Sequence, residues 1–155
     1  CDISFYDPFL AGDQGHYHKK SLEEIFSESD IVTLHLPVTD STRGMITEPL
    51  LQSMKKTALF VNAARSAIVD YAALERVLNE EAIGGAIIDV LDTEPPTEAD
   101  LSIGRCPNVL LTPHICGATY EVTDHQSRIL NERIKKWMRN EDLEKVIYNR
   151  DVLKG

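Results

Sequence analysis

The amino-acid sequence predicts an α/β fold: a parallel sheet with flanking helices, ending in a long C-terminal helix. Three observations predict it. Short apolar runs alternate along the chain with segments of helical periodicity. The runs are apolar throughout, the pattern of parallel strands covered on both faces. Four ionisable residues, Arg65, Asp89, Glu94 and His114, each lie just after such a run. Open α/β sheets bind ligands at that place, the carboxyl ends of their strands.

The elements follow in order. Ile3 to Tyr6 is a short apolar run closed by Asp7 and Pro8, a strand followed by a turn. Ser21 stands three residues before Glu24, the spacing of a capping box, and predicts a short helix over Leu22 to Phe26. Ile31 to Leu36 reads as a buried strand stopped by Pro37. Thr47 as N-cap and Pro49 in the first turn predict a brief helix to Met54. Ala58 to Val61 is the next strand. Asp70 caps a helix to about Glu80, with Ala73, Leu74, Val77 and Leu78 on one face. Gly84 and Gly85 end that connection, and Ala86 to Val90 forms a strand that carries Asp89. Residues 91–108 read as a long Pro-rich loop. Val109 to Leu111 is the last strand, followed by Thr112, Pro113 and His114. From about Thr119 a long helix runs to about Arg139, with Val122, Ile129, Ile134, Trp137 and Met138 on its apolar side.

Composition narrows the functional classes. A chain of 155 residues, 43% hydrophobic and 26% charged, is an ordinary globular domain. That length allows one core burying roughly 70% of the unfolded surface. The net charge of −9 argues against a nucleic-acid partner, since no basic stripe is present. Lys135, Lys136 and Arg139 cluster, but beside Glu132 and Glu141, as on a solvated helix face. No apolar run approaches the roughly 20 residues of a membrane span, and no signal peptide or repeat is visible. Cys1, Cys106 and Cys116 are scattered without metal or disulfide spacing, which suggests reduced thiols and a cytoplasmic setting.

Each chemistry-bearing residue admits two readings. Asp7 is placed either to accept the hydroxyls of an adenosine ribose or to make a turn before Pro8. Arg65 is a fork for a carboxylate, or a surface partner of Asp70. Asp89 can accept a hydrogen bond from a carboxamide, or anchor a loop. Glu94 and His114 are the sharper pair. A carboxylate beside an imidazole orients the ring and stabilises its protonated form, as an acid/base catalyst requires.

These residues stand in stretches that together resemble one family. The stretches are Phe5 to Pro8, Asp30 to Met45, Leu59 to Asp70, Gly85 to Pro95 and Leu110 to Thr119. The chain resembles the NAD-dependent D-isomer-specific 2-hydroxyacid dehydrogenases, among them phosphoglycerate, D-lactate and glycerate/hydroxypyruvate enzymes. The resemblance implies an incomplete Rossmann-type sheet, with residues 1–117 a partial NAD-binding domain. Residues 118–155 would be a helix and tail returning toward the substrate domain. It implies that Asp7 binds the adenosine ribose and that His35 and Pro37 line the adenine site. Ala63, Ala64, Cys116 and Gly117 would contact the cofactor, and Asp89 would hold the nicotinamide carboxamide. Arg65 would bind the carboxylate and carbonyl of a small 2-hydroxy or 2-keto acid. Glu94 would support His114 as it exchanges the substrate's hydroxyl proton. A homodimer is also implied.

The chain departs from the family pattern in three places. Ser66 stands where the family usually has Gly. Cys116 precedes Gly117 where two glycines are usual, and its side chain would narrow the pocket near the cofactor. The GxGxxG fingerprint, expected about 20 residues before Asp7, is absent. Gly12 and Gly15 do not replace it, since they follow the acid and open no helix. In the order 3-2-1-4-5-6 the first strand is central, so its absence leaves the Asp7 strand without its neighbour. Two functional classes follow: an active dehydrogenase, or a non-enzymatic NAD(H)-sensing scaffold like the corepressors that resemble this family. The expectation is that the 155 residues are a fragment that alone binds NAD weakly and turns over poorly. Measurable NAD-dependent turnover, by a chain that intact mass confirms to begin at Cys1, would refute it.

Overall fold

The computed structural model describes residues 1–139 and Glu141. The chain divides into two compact units, residues 1–114 and residues 115–155.

In the first unit, β1 (Ser4–Phe5) pairs in parallel with β2 (His18–Lys19). The turn between them carries Gly12 and Gly15, both in the left-handed region and neither opening a helix. α1 (Leu22–Glu28) follows, with the capping box in place: the Ser21 side chain accepts from the Glu24 N–H, and the Glu24 carboxylate accepts from the Ser21 N–H. β3 (Ile31–Leu34) ends before His35, two residues shorter than its apolar run suggests. α2 (Glu48–Ser53) starts with Pro49 in its first turn, as expected, but Thr47 makes no side-chain cap. β4 (Leu59–Asn62) runs into a single turn of 3₁₀ helix, Ser66–Ile68. α3 (Tyr71–Asn79) is capped by Asp70, whose carboxylate accepts the Ala73 N–H at 2.9 Å. β5 (Gly85–Ile88) and β6 (Val109–Leu111) complete the unit. The loop between them contains a second 3₁₀ turn, Ser102–Arg105.

β3, β4, β5 and β6 form one parallel sheet in that spatial order, separate from the β1–β2 pair. The strand before Asp7, which the sequence reading leaves without its neighbour, is paired with β2. The register aligns Leu34, Asn62, Ile88 and Leu111 across the sheet.

One face of this sheet builds the core. Val32, Leu34, Phe60, Ala86 and Ile88 pack with Phe26 of α1, Leu51 of α2, and Ala73, Leu74, Val77 and Leu78 of α3. Phe26 and Phe60 are fully buried and meet as a tilted aromatic pair 6.4 Å apart. On the other face Ile31, Leu59 and Leu110 are exposed.

In the second unit, α4 (Tyr120–Met138) is capped by Thr119, whose hydroxyl accepts the Val122 N–H at 3.3 Å. None of its residues is buried, and Trp137 and Met138 are largely exposed. Most of the tail assigned to residues 118–155 lies outside the described residues beyond Glu141. No helix among the described residues is long and apolar enough to cross a membrane.

Gly85 opens β5 with φ +157°, and a Cβ there would meet the Asn108 carbonyl oxygen at 2.4 Å. That carbonyl accepts the Ala86 N–H at 3.0 Å, so it cannot retreat without breaking the β5–β6 ladder. The Gly85→Ala variant is expected to lose about 1–3 kcal/mol, read as a lower urea midpoint at unchanged slope. An unshifted midpoint would show that the approach relaxes freely.

Candidate active site

The parallel register decides where the site lies. The positions one step beyond Leu34, Asn62, Ile88 and Leu111 are His35, Ala63, Asp89 and Thr112. They fall along one edge of the sheet because parallel strands end together.

The residues after β3 and β4 surround an open cavity of about 600 Å³. His35 and Pro37 line it from one side, Ala63, Ala64 and Arg65 from the other, with Leu36 and Val38 as further apolar wall. His35 is held by its own strand, with Nε2 3.1 Å from the Thr33 hydroxyl. Thr42 fixes the loop beyond: its hydroxyl donates to the Pro37 carbonyl at 2.7 Å. Arg65 is exposed, and its Nη1 donates to the Ala64 carbonyl at 2.6 Å. It makes no ion pair with Asp70, whose carboxylate caps α3. Arg65 is thus the only permanently charged side chain among those lining the cavity, and it suits an anionic ligand.

Asp89 is buried, and the Thr112 hydroxyl donates to its Oδ1. This ties the end of β5 to the end of β6. His114 and Glu94 come together across the loops that follow the same two strands, with the ring Nδ1 against Glu94 Oε1. Both side chains remain open to solvent. His114 has φ +53°, a conformation that few non-glycine residues adopt. Strain of this kind collects at functional positions. Asp7 makes the turn its sequence suggests, its Oδ1 accepting the Phe9 N–H at 2.8 Å. Cys116 and Gly117 belong to the second unit and are exposed.

Three hydrogen-bonding neighbours of the candidate residues escape the sequence reading: Asn62, Tyr71 and Thr112. Asn62 is fully buried at the end of β4. Its amide nitrogen donates to the Arg65 carbonyl at 3.1 Å and to the Tyr71 hydroxyl at 3.2 Å. Its side-chain oxygen accepts the Ala64 N–H at 3.1 Å. Tyr71 in turn donates to the Val90 carbonyl at 2.7 Å. Burial pushes the Tyr71 phenol well above its ordinary range, the Asn62 bond opposes this, and Asp92 adds to it. The phenol therefore keeps its proton throughout the neutral range. Only a buried Asn one step before an exposed loop, and a Tyr directly after a helix cap, hint at this in the sequence.

An open parallel sheet with ionisable side chains gathered at its carboxyl edge is the Rossmann-like α/β class, in which ligands bind at the strand ends. Similarity to known proteins narrows this class. The D-isomer specific 2-hydroxyacid dehydrogenase family, NAD binding domain, matches residues 1–116, and the chain belongs to that family. YoaD of Bacillus subtilis (strain 168), whose name assigns it to the 2-hydroxyacid dehydrogenases, is 46% identical over 99% of this chain and 45% of its own. Glyoxylate reductase of Aeropyrum pernix is 38% identical over 87% of this chain and 40% of its own. Among solved structures, the NAD complex of the D-isomer specific 2-hydroxyacid dehydrogenase of Lactobacillus delbrueckii ssp. bulgaricus superposes with a TM-score of 0.77. It is 26% identical and covers 91% of this chain and 47% of that one. The chain thus spans less than half the length of these relatives.

The Thr112–Asp89 bond sets a stability test. Thr112→Val keeps the shape and removes the donor, and is expected to cost about 1–3 kcal/mol. Thr112→Ser should restore most of it in the same urea titration. Equal midpoints for the valine variant and the parent would remove Thr112 from the account of the site.

Proposed function

We propose that the protein containing this chain is an NAD-dependent oxidoreductase that interconverts a small D-2-hydroxy acid and its 2-keto acid. The observation that carries the reading is the contact of His114 Nδ1 with the Glu94 carboxylate, beside strand ends that hold a cationic cavity. With Nδ1 committed to Glu94, Nε2 is the nitrogen left to exchange a proton with substrate. In the oxidative direction the substrate C–H leaves as hydride and the O–H proton passes to Nε2, so that C=O forms. The nicotinamide supplies the hydride acceptor. Glu94 stabilises the imidazolium so formed, and the reverse direction returns the same proton.

The other residues hold the reactants. Arg65 forks onto the substrate carboxylate and polarises the adjacent carbonyl. His35, Pro37, Ala63 and Ala64 line, with Arg65, a cleft wide enough for part of a dinucleotide. Asp89 accepts a hydrogen bond from the carboxamide. Asp7, with one oxygen in its turn, accepts the ribose hydroxyls and disfavours a 2′-phosphate. Residues 1–117 are on this reading a partial NAD-binding domain, and residues 118–155 the helix and tail that lead from it. The reading includes a cytoplasmic homodimer with no nucleic-acid or membrane partner.

Steady-state oxidation of NADH by the full-length protein, with glyoxylate, hydroxypyruvate and pyruvate as acceptors, tests this. At least one acceptor should be reduced. Glu94→Gln should lower kcat about 100-fold, and Arg65→Ala should raise the acceptor KM about 100-fold through loss of a charge-assisted fork. Silence across the panel with NADH still bound would replace the enzyme by an NAD(H)-sensing scaffold.

A further inference from the structure

We infer that Asn62 and Tyr71 are positioning residues, a buried bridge that holds the Arg65 loop at a fixed height against the Asp89 end of β5. The inference rests on the reading of Arg65 as the substrate's anion clamp and adds what keeps that clamp in place.

The geometry is specific. Asn62 is the last residue of β4, and the Asp89 N–H donates to its backbone carbonyl at 2.9 Å. Its backbone is therefore tied to β5. Its side chain turns the other way and takes up the next three residues, accepting from the Ala64 N–H and donating to the Arg65 carbonyl. The remaining amide hydrogen goes to the Tyr71 hydroxyl, which donates onward to Val90, one residue after Asp89. The chain of bonds runs from the Arg65 backbone through Asn62 and Tyr71 to Val90, in the segment that follows β5 and carries Asp89. One end is the Arg65 loop, the other lies one residue past Asp89, and the link between them is the first residue of α3.

A purely structural role explains this poorly. An amide that is fully buried costs stability unless every bond is made, and an apolar residue would fill the same space at lower cost. Asn62 has its bonds, and all of its side-chain bonds go to the Arg65 loop or to Tyr71. Tyr71 stays protonated because burial disfavours the phenolate. The donation to Val90 is therefore constant across the working pH range. A displacement of the guanidinium by about 1 Å is enough to cost roughly 100-fold in a reaction that depends on orientation.

The test is a double-mutant cycle in the full-length protein, with amide exchange as a second readout. Tyr71→Phe keeps the ring in the core and removes only the hydroxyl. It is expected to lower kcat/KM for the keto acid about tenfold, with the NADH dissociation constant unchanged. In an Arg65→Lys background the same change should have almost no further effect, because both act through one group. Exchange at the Ala64 and Arg65 amides should quicken about tenfold in Tyr71→Phe, while amides of α3 hold their parent rates. A tenfold loss that persists in the Arg65→Lys background overturns the inference, since Tyr71 would then act elsewhere. If Arg65→Lys itself leaves the keto-acid KM unchanged, the reading of Arg65 fails. The bridge is then judged by exchange alone, and unaltered exchange at Ala64 and Arg65 overturns it. Asn62→Ala serves as the second variant: the same local exchange pattern supports the bridge, and uniform acceleration across α3 overturns it in favour of a role in general stability.

Discussion

The site depends on one constraint, the common direction of β3, β4, β5 and β6. Parallel strands in register end at the same edge, so the residues that follow them are gathered without any contact between their own segments of sequence. Leu34, Asn62, Ile88 and Leu111 lie side by side, and His35, Ala63, Asp89 and Thr112 come next in each strand. His35, Arg65, Asp89 and the Glu94–His114 pair all follow strands of that edge. Loops there escape the ladder that holds the strands, and each needs its own anchor. Thr42 supplies one for the loop after β3, Asn62 for the loop after β4, and Thr112 joins the ends of β5 and β6.

The core and the site make opposite use of the same strands. Val32, Phe60, Ala86 and Ile88 bury one face against three helices, and their stabilisation is non-directional and scales with area. At the carboxyl ends the groups are polar, and their stabilisation depends on direction and on complete pairing. No buried side-chain nitrogen or oxygen among the described residues lacks a partner. The change from area to direction occurs within one residue at β4, where buried Phe60 and buried Asn62 flank half-buried Val61. A rigid apolar layer holds the strand, and the last side chain of that strand holds the loop.

The exposed pair of His114 and Glu94 fits this scheme. Neither is packed, and each is placed by the strand behind it and by the other. The positive φ at His114 turns the chain sharply after β6, and the His114 N–H donates back to the Thr112 carbonyl at 3.0 Å. Thr112 therefore serves two neighbours. Its hydroxyl reaches Asp89 and its carbonyl fixes the turn that presents the imidazole.

Much of this was legible in the sequence, and the boundary between what was and was not is physical. Helix caps at Ser21, Asp70 and Thr119 are local patterns, closed within three residues, and a linear reading finds them. Apolar runs mark the strands β1 and β3 to β6 for the same reason. They also place Arg65, Asp89, Glu94 and His114 at strand ends, and with them the family resemblance. The two-residue strand His18–Lys19 has no such pattern, because a polar pair becomes a strand only when β1 lies beside it. Exposure of Ile31, Leu59 and Leu110 is likewise decided by which elements cover a face, not by the residues themselves. The bonds from Tyr71 to Val90 and from Thr112 to Asp89 span 19 and 23 residues. The sequence by itself determined which groups are the candidates for the chemistry. Only the tertiary structure decided which groups hold them in place, because a hydrogen bond between distant segments leaves no periodicity in either.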